Sequence, residues 1–313
     1  MVKCRLIFRH TVHGLCALFP EGMDTNSPPM DLDALAKKEL GETPELQQSS
    51  LERLRELLKG EDSLLVPPDD SFLLMFLRAR KYRVNDAFTT VKNYFRVRRD
   101  VPEYFDKLTP SNIAYQTVCY KHKLLLSSKD KDPQRRAAGY ISFGAWNTGI
   151  CSLTELMRCL LLAAECNLLA EETQIRGAIA IVDMKGFGAH HLMALSPWFL
   201  RRIVFIVTQS LPARIKGFYF INTPTLFSVI FSLIRSLVPA KLKERFRLLG
   251  NDISTLHEVL PRDFIPKEFG GTREDFDYHN QKKFFHSRAS HFERVRKFGY
   301  QSSRSRPTAY DCA

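Results

Sequence analysis

The sequence predicts an α/β protein in which a small helical region precedes a mostly parallel β-sheet. Two observations lead to this fold class. Up to about residue 100, apolar residues recur at the spacing of amphipathic helices. Beyond that point, short β-rich runs alternate with longer helical patterns, which is the order expected for right-handed crossovers between parallel strands. The chain has 313 residues, of which 44% are hydrophobic, so it is long enough to bury a core of this kind.

The N-terminal segment, residues 1–45, is expected to be an extension followed by a loosely held arm. Residues 1–22 place basic residues before apolar ones, faintly as a secretory signal does, but further basic residues interrupt the apolar run. Met23 opens a stretch that resembles an ordinary start, so we interpret the preceding residues as an extension. Prolines around a short acidic stretch in residues 23–44 indicate the arm.

Residues 46–105 are predicted to form a small all-helical domain. Their apolar side chains fall into stripes that recur every three to four residues, as on one face of an α-helix. The stripes are Leu51, Leu54, Leu57 and Leu58; Phe72, Met75, Phe76 and Ala79; and Ala87, Phe88, Val91, Tyr94 and Phe95.

Three later runs are predicted to be strands covered on both faces, because they are apolar without a clean alternation. They read AAGYISFGAW at 137–146, GAIAIVDM at 177–184 and KGFYFIN at 216–222. Helical patterns at 153–172 and 196–210 separate them. This alternation predicts a largely parallel sheet.

The segment from Thr225 to Val238 is predicted to be a helix with an unusually wide apolar arc. Its polar side chains occupy only a narrow strip, whereas an ordinary surface helix presents a narrower apolar stripe to the core. The apolar arc contains Leu226, Phe227, Ile230, Phe231, Ile234 and Val238. Residues 273–313 are polar, basic and aromatic, and are expected to form a partly ordered tail.

The distribution of charge points to an anionic partner. The chain carries 46 basic and 34 acidic residues, a net charge of +12. Between Arg201 and Gly250 there are nine basic residues and one acid, Glu244. A basic cluster beside a wide apolar helix is typical of reversible docking onto an anionic membrane. A solvated helix end is the alternative for the basic run alone, and no motif favours nucleic acid.

No catalytic or metal-binding motif is found in the sequence. The seven cysteines are scattered without C-x-x-C spacing, so reduced thiols are expected, with neither a disulfide framework nor a metal site. Nucleotide-binding, nucleophile-elbow and zinc-protease patterns are absent from the sequence. His190 and His191 are interpreted as loop or surface residues, and Asp183 as structural. No apolar run reaches the roughly 18 residues needed to span a bilayer.

Five segments together resemble the CRAL-TRIO lipid-transfer family. They read FLRARKYRVNDAF, NYFRVRR, AIVDMKGF, LPARIKGFYFINTPTLFSVIFSLIRSLVPAKLKERF and LPRDFIPKEFGGT. The likeness spans about residues 46–272 and is strongest to the animal branch with the alpha-tocopherol transfer proteins, cellular retinaldehyde-binding protein and the clavesins. It implies that residues 106–272 form an α/β/α sandwich with an internal hydrophobic pocket under a helical lid.

The resemblance also implies which residues form the site. The pocket is expected to be lined by Met157, Leu160, Leu161, Ala164, Val182, Ile203, Ile206, Val207, Ile215 and Phe218. The lid is expected to contribute Phe227, Ile230, Phe231, Ile234 and Val238. A phosphoinositide headgroup is expected to contact Arg80, Arg214, Lys216, Arg235, Lys241, Lys243 and Arg245.

Three positions depart from the pattern of tocopherol transfer protein. Leu160 and Ala164 stand where that protein carries hydroxyls, which favours a differently shaped or more apolar ligand. Thr89 stands where it has a basic residue, so the headgroup site is expected to be weaker or differently selective.

The function implied is that of a non-enzymatic carrier without a cofactor. It is expected to enclose a tocopherol-, retinoid- or other terpenoid-like lipid and to exchange this lipid at phosphoinositide-containing membranes. The expected location is cytoplasmic, with reversible association with endosomal, Golgi or plasma membranes. A phosphoinositide-binding trafficking adaptor of the clavesin kind and a pocket-based hydrolase or isomerase are the alternatives. The sequence does not identify the cargo, the phosphoinositide isomer or the oligomeric state.

Overall fold

Helices make up most of the chain before residue 106 in the computed structural model, which describes residues 31–127, 130–274 and 276–301. The expectations for residues 1–22 and for the arm up to residue 30 lie outside the described residues. Helix α2 begins after Thr43, whose hydroxyl oxygen accepts a hydrogen bond from the N–H of Leu46 at 3.2 Å. The elements are α1 (Leu32–Leu40), α2 (Pro44–Lys59), β1 (Leu64–Leu65), α3 (Asp70–Ala79), α4 (Val84–Asp100) and α5 (Pro102–Phe105).

A central sheet and the helices that cover it form the middle of the chain. Its elements are β2 (Leu125–Ser127), β3 (Ala137–Ile141), α6 (Leu153–Leu168), α7 (Glu171–Arg176), β4 (Ala178–Asp183), α8 (Ala189–Ala194), α9 (Pro197–Phe205), β5 (Ile215–Ile221), α10 (Thr225–Leu237) and β6 (Phe246–Gly250). The strands lie in the order β2-β3-β4-β5-β6. β2 pairs antiparallel with β3, and the other neighbours are parallel. The predicted α/β class with a mostly parallel sheet is therefore confirmed.

The strands predicted from the sequence form the middle of this sheet, but the first is shorter than expected. β3 ends at Ile141, and a 3-10 turn occupies Phe143–Ala145. The chain leaves the sheet here, where Gly144 packs closely against the backbone that follows β4. A Cβ at this position would lie 2.3 Å from the carbonyl oxygen of Lys185.

The C-terminal segment returns to the helical N-terminal region. It contains α11 (Ser254–His257), α12 (Tyr278–His286), α13 (Ala289–Val295) and β7 (Gly299–Tyr300). Phe285 and Phe292 are buried, and β7 pairs antiparallel with β1. Helices α12 and α13 and strand β7 lie within residues 273–313, the stretch for which the sequence predicts a partly ordered tail. The domain boundaries at residues 45, 105 and 272 stay predictions.

Buried polar contacts connect the N-terminal helices to the sheet region. The guanidinium of Arg78 on α3 contacts the carboxylates of Glu42 at 2.7 Å and Glu171 at 2.6 Å. On α4, the hydroxyl of Tyr94 donates to the carboxylate of Glu165 on α6 at 3.0 Å. These contacts hold the two regions together and position α1 beside α7, next to the start of β5.

Candidate ligand-binding site

One side of the central sheet borders a cavity of about 310 Å³. Helices α6, α9 and α10 close the cavity opposite β3, β4 and β5. The lining is almost wholly apolar, and this volume lies at the small end of the range of about 300 to 1,000 Å³ that is usual for small-molecule sites. The cavity can therefore hold one compact hydrophobic molecule.

Most residues expected to line the pocket do line it. These are Met157, Leu160, Leu161, Ala164, Val182, Ile203, Val207, Ile215 and Phe218. Ile206 is placed elsewhere: it is fully buried in the hydrophobic core and is not among the described lining residues. The reason is local, because the chain changes from α-helix to a π-helical turn at Ile206–Ser210. Regular helical spacing does not hold from this point, and Val207 of the same turn lines the cavity whereas Ile206 does not.

Sequence reasoning missed several lining residues. Phe199, Leu200 and Val204 on α9 and Phe220 and Phe246 on β5 and β6 also border the cavity. The helical spacing of the α9 residues relative to Ile203 was a usable signal. Phe246 carried none, because β6 was not predicted.

Helix α10 covers the cavity as the lid is expected to. Phe227 and Ile234 line the cavity. Ile230, Phe231 and Val238 are buried in the adjoining cluster instead, where the ring of Phe231 lies 5.5 Å from that of Phe220. The outer face of this helix is mostly polar but carries two exposed apolar side chains, Val229 at 70% and Leu226 at 42% exposed.

The polar side chains in the cavity lining are Ser127, Asn167 and Thr173. The Nδ2 group of Asn167 donates to the Oγ of Ser127 at 2.7 Å and to the carbonyl oxygen of Ala163 at 2.8 Å. Thr173 accepts a hydrogen bond from the Nζ of Lys131 at 2.8 Å. Both Asn167 and Ser127 keep hydrogen-bonding capacity beyond these contacts, because an amide oxygen accepts and a hydroxyl also donates. No sequence motif signals this set, which comes from three separate elements.

A cationic cluster lies where β5 begins. The carboxylate of Glu39 on α1 lies 3.4 Å from the guanidinium of Arg214, 3.6 Å from the Nζ of Lys216 and 3.3 Å from the guanidinium of Arg176. Arg214 is buried and also donates to the carbonyl oxygen of Ile175. We call these four residues the Glu39 cluster.

Charges in the Glu39 cluster shift the pKa of its members. Partial burial on its own raises the pKa of the Glu39 carboxyl, but the charges of Lys216, Arg214 and Arg176 outweigh burial and leave that pKa below its ordinary value. Burial lowers the pKa of Lys216, and the positive charges of Arg214 and Arg245 lower it further. Positive charge therefore exceeds what the single carboxylate neutralises.

The other predicted headgroup residues have different surroundings. Arg245 donates to the carbonyl oxygen of Ile215, at the start of β5. Arg80 donates to the Oγ1 of Thr90 at 2.7 Å and to the carbonyl oxygen of Thr208 at 3.3 Å. Arg235 on the lid pairs with Glu244 at 3.0 Å, Lys241 is exposed and Lys243 is partly exposed.

Arg176 and Glu39 were both missed by sequence reasoning. Arg176 ends α7, and the chain then turns at Gly177, whose φ is +87°. A Cβ on Gly177 would lie 2.3 Å from the carbonyl oxygen of Arg214. Only glycine permits this approach, which brings Arg176 beside Arg214.

The interpretation of His191 as a loop or surface residue is wrong. His191 lies on α8 and is fully buried against the rings of Phe187 and Trp146, at 4.7 Å and 5.8 Å between centroids. Its Nδ1 accepts from the N–H of Gly188 at 3.0 Å, so its Nε2 donates to the carbonyl oxygen of Phe143 at 3.1 Å. Burial lowers the pKa of His191, and the charge of His190 lowers it further. The imidazole is therefore neutral and structural.

Asp183 also has structural contacts, in agreement with its interpretation. Its Oδ1 accepts from the N–H of Lys185 and from the Nδ2 of Asn222, each at 2.9 Å. Cys119, Cys151 and Cys166 are buried, and burial contributes to raising the pKa of each thiol; for Cys119 the neighbouring Cys159 is the larger cause. Within the described part of the chain, no helix combines the length and apolar character needed to cross a bilayer.

Comparison with known proteins agrees with this geometry. The family model described as CRAL/TRIO domain matches residues 121–271. The human protein "Alpha-tocopherol transfer protein-like" is 34% identical over 248 residues, covering 79% of this chain and 72% of that protein. Mouse Clavesin-1 is 29% identical over 247 residues, covering 77% of this chain and 68% of that protein.

A solved structure shows the same fold at low sequence identity. The crystal structure of Sfh5 superposes with a TM-score of 0.55 at 14% identity, covering 77% of this chain and 92% of that one. CRAL-TRIO domains bind hydrophobic small molecules, which is what the apolar cavity can hold. The matched domain, the identity to relatives across most of the chain and the apolar cavity agree with one another, and the chain belongs to the CRAL-TRIO family of lipid-binding and transfer proteins.

Proposed function

We propose that this protein is a carrier that encloses one tocopherol-, retinoid- or other terpenoid-like lipid and exchanges it at membranes that contain phosphoinositides. The observation that carries the proposal is the cavity of about 310 Å³, which is bordered by apolar side chains of α6, α9, α10 and the sheet. Moving the apolar surface of a lipid from water into an apolar cavity is favourable by about 25 cal/mol of free energy for each Å² buried.

The lining supports a ligand with a compact apolar body and one small polar group. Ser127 and Asn167 offer a hydroxyl and an amide oxygen, and the rest of the cavity is apolar. A hydroxyl or carbonyl of the ligand at this position would gain hydrogen bonds that a pure hydrocarbon cannot make. Leu160 and Ala164 carry no hydroxyls, so the polar groups that the ligand can meet lie at the C-terminal end of α6, at Asn167, and on β2, at Ser127.

The outer surface beside the lid supports exchange at an anionic membrane. Val229 and Leu226 present apolar side chains to solvent on α10. Lys241 and Lys243 follow the same helix. Apolar side chains that insert and cations that attract anionic lipids are the two components of reversible membrane association. Because the inner face of α10 contacts the cavity, insertion of its outer face can be coupled to opening.

The proposal includes a cytoplasmic location with reversible binding to endosomal, Golgi or plasma membranes, and it includes neither catalysis nor a cofactor. The similarity to "Alpha-tocopherol transfer protein-like" supports a transfer function. A chemically unaltered ligand is the outcome expected for a carrier, whereas a hydrolase or isomerase would return a product.

The decisive experiment identifies and moves the cargo. Organic extracts of the purified protein are analysed by mass spectrometry, and the lipid found is labelled and followed between donor and acceptor vesicles. We expect one predominant lipid and transfer that accelerates with protein concentration. The absence of bound lipid together with no acceleration for tocopherol, retinoid or sterol probes would refute the carrier.

A further inference from the structure

The Glu39 cluster has the composition of a phosphate site that is already filled by a carboxylate. Arg176, Arg214 and Lys216 converge on the two oxygens of Glu39 within 3.3 to 3.6 Å. The three cations come from the end of α7 and the start of β5, which Gly177 brings together. Three cations that converge on one pair of oxygens are the arrangement that guanidinium and ammonium groups adopt around phosphate.

Arg214 requires an anion at this position. Its side chain is buried, its neighbour Lys216 is only partly exposed, and the charge of Arg245 acts on both. A buried cation without a counter-charge is strongly destabilising, so Glu39 stabilises the protein when no other anion is present. Any anion that replaces Glu39 must restore the same compensation.

Glu39 is placed so that a stronger anion can replace it. Its side chain keeps 24% of its surface exposed, so the cluster is open to solvent on one side. It lies next to the last residue of α1, whose C-terminal carbonyl groups add negative character near the cations. A phosphate monoester carries up to two charges and three acceptor oxygens, against one charge and two oxygens for a carboxylate.

From this geometry we infer that Glu39 occupies the position of a membrane-lipid headgroup phosphate and that Arg176 is a further ligand of that phosphate. The inference rests on the proposed exchange at phosphoinositide membranes and adds a competition to it. A headgroup with phosphate monoesters displaces the Glu39 carboxylate and takes over Arg176, Arg214 and Lys216. Lipids with a single phosphodiester, such as phosphatidylserine, do not displace it. Helix α1, which carries Glu39, thereby restricts binding to headgroups whose phosphate charge is high enough to displace the carboxylate.

The test compares Glu39→Gln with the wild-type chain on vesicles of phosphatidylcholine that contain phosphatidylinositol 4,5-bisphosphate. Phosphatidylserine vesicles of equal surface charge serve as the reference surface. Glu39→Gln is expected to bind the phosphoinositide vesicles about fivefold tighter, the factor for one unit charge near an anionic surface. Asp33→Asn on the same helix is the matched control, and its effect on the two kinds of vesicle is expected to be equal.

A second variant tests the new ligand directly. Arg176→Gln in the Glu39→Gln background is expected to lose about fivefold in affinity for the phosphoinositide vesicles. Arg135→Gln, which removes an exposed arginine paired with Glu172, is the control for the loss of a charge. Soluble inositol 1,4,5-trisphosphate is expected to raise the Tm of Glu39→Gln more than that of the wild type, because it supplies the missing anion.

The outcomes separate this inference from the proposed function. If Lys216→Gln weakens binding of the wild type to phosphoinositide vesicles while Glu39→Gln behaves as Asp33→Asn does, the competition is refuted and the headgroup site stands. If neither the wild type nor any variant prefers phosphoinositide over phosphatidylserine vesicles, both the competition and the proposed headgroup site are refuted. If Glu39→Gln binds the trisphosphate in solution but gains nothing on vesicles, the lipid source is refuted. Should Glu39→Gln fail to fold, Arg176→Gln alone decides: unchanged binding contradicts the inference.

Discussion

The buried charged residues Arg78 and Glu165 each contact groups of opposite charge. Arg78 has Glu42 and Glu171 within 2.7 Å, and the net effect of those carboxylates raises its pKa although burial lowers it. Glu165 receives hydrogen bonds from Arg98 and from Tyr94. Removing one partner of such a buried pair leaves an uncompensated charge and is strongly destabilising. Glu39 is more exposed than Glu42 and Glu165, and this exposure underlies the exchange inferred for it.

His191 provides a prediction about pH. Its pKa in the folded protein lies below the unfolded value of 6.5, since burial disfavours the charged imidazole. At a pH between the folded and unfolded pKa values, the unfolded chain binds a proton at His191 that the folded protein does not bind. The stability that the neutral imidazole provides is therefore fully present above about pH 6.5 and is lost as the pH falls below it. His291 has a pKa lowered by burial and acts in the same direction. We expect the Tm to decrease from pH 6.5 to pH 5.

The variant His191→Gln should flatten that decrease, because glutamine retains a donor for the carbonyl oxygen of Phe143 but does not titrate. Differential scanning calorimetry at half-unit pH steps measures the slope. His286→Gln on the exposed side of α12 is the control and should leave the slope of the wild type unchanged. An unchanged slope in His191→Gln would contradict the assignment of a neutral buried imidazole.

The cavity residues on α6 were expected from the family resemblance. Met157, Leu161 and Ala164 recur at helical spacing, which alone indicates a buried face and does not distinguish a cavity from ordinary core packing. Glu39 and Arg176 meet through tertiary contacts between distant segments, and no local pattern describes such a meeting. His191 was misplaced for the related reason that its sequence neighbours, glycine and histidine, suggest a loop.

At the level of elements, the two sides of the lid helix α10 have separate roles. Phe227 and Ile234 face the cavity, whereas Leu226 and Val229 are exposed among polar side chains. In the proposed function these two exposed apolar side chains insert into the membrane.

Val229→Glu tests the outer face without changing the inner one. Replacing an inserting valine by a charge is expected to weaken binding to anionic vesicles about tenfold, since burying a valine stabilises by about 1.5 kcal/mol or more. The Tm should change little because the residue is exposed. Ser232→Glu adds the same charge on the polar strip of the same helix and should have a much smaller effect. Equal losses in the two variants would show that charge alone, and not insertion, governs binding.

Elements were predictable to the extent that they are long and apolar. The strands β3, β4 and β5 and the helices α6 and α9 follow from their apolar runs. β6 was not predicted because its residues, FRLLG, continue a basic segment. β1 and β7 have two residues each and exist only by pairing with each other across most of the chain length. Pairing over such a separation leaves no periodicity to detect.

At the scale of the whole molecule, the cavity and the surface proposed to dock on the membrane are distinct regions that share the lid and β5. Ile215 and Phe218 on β5 line the cavity, and Arg214 and Lys216 on the same strand or its start belong to the Glu39 cluster. Ile215 lies between Arg214 and Lys216, and adjacent side chains of a strand point to opposite faces, so the start of β5 can serve both sites. A register shift against β4 interrupts this alternation before Phe218. Ligand capacity and membrane binding should therefore be separable by substitution.

Ala164→Trp makes that separation. The indole projects from α6 into the cavity and excludes the ligand, while the outer face of α10 and the Glu39 cluster are left intact. We expect co-purified lipid and transfer between vesicles to be lost, binding to phosphoinositide vesicles to be retained, and stability to fall by about 1 to 3 kcal/mol from overpacking. Gln48→Trp on the exposed side of α2 controls for a surface tryptophan. Transfer at the wild-type rate in Ala164→Trp would place the cargo outside this cavity.

The same variant can be followed in cells. Lost transfer with normal targeting in cells would separate lipid transfer from membrane targeting. A targeting role that persists without cargo would favour the trafficking adaptor, whereas mislocalisation of Ala164→Trp despite normal vesicle binding would show that the bound lipid itself directs the protein to its membrane.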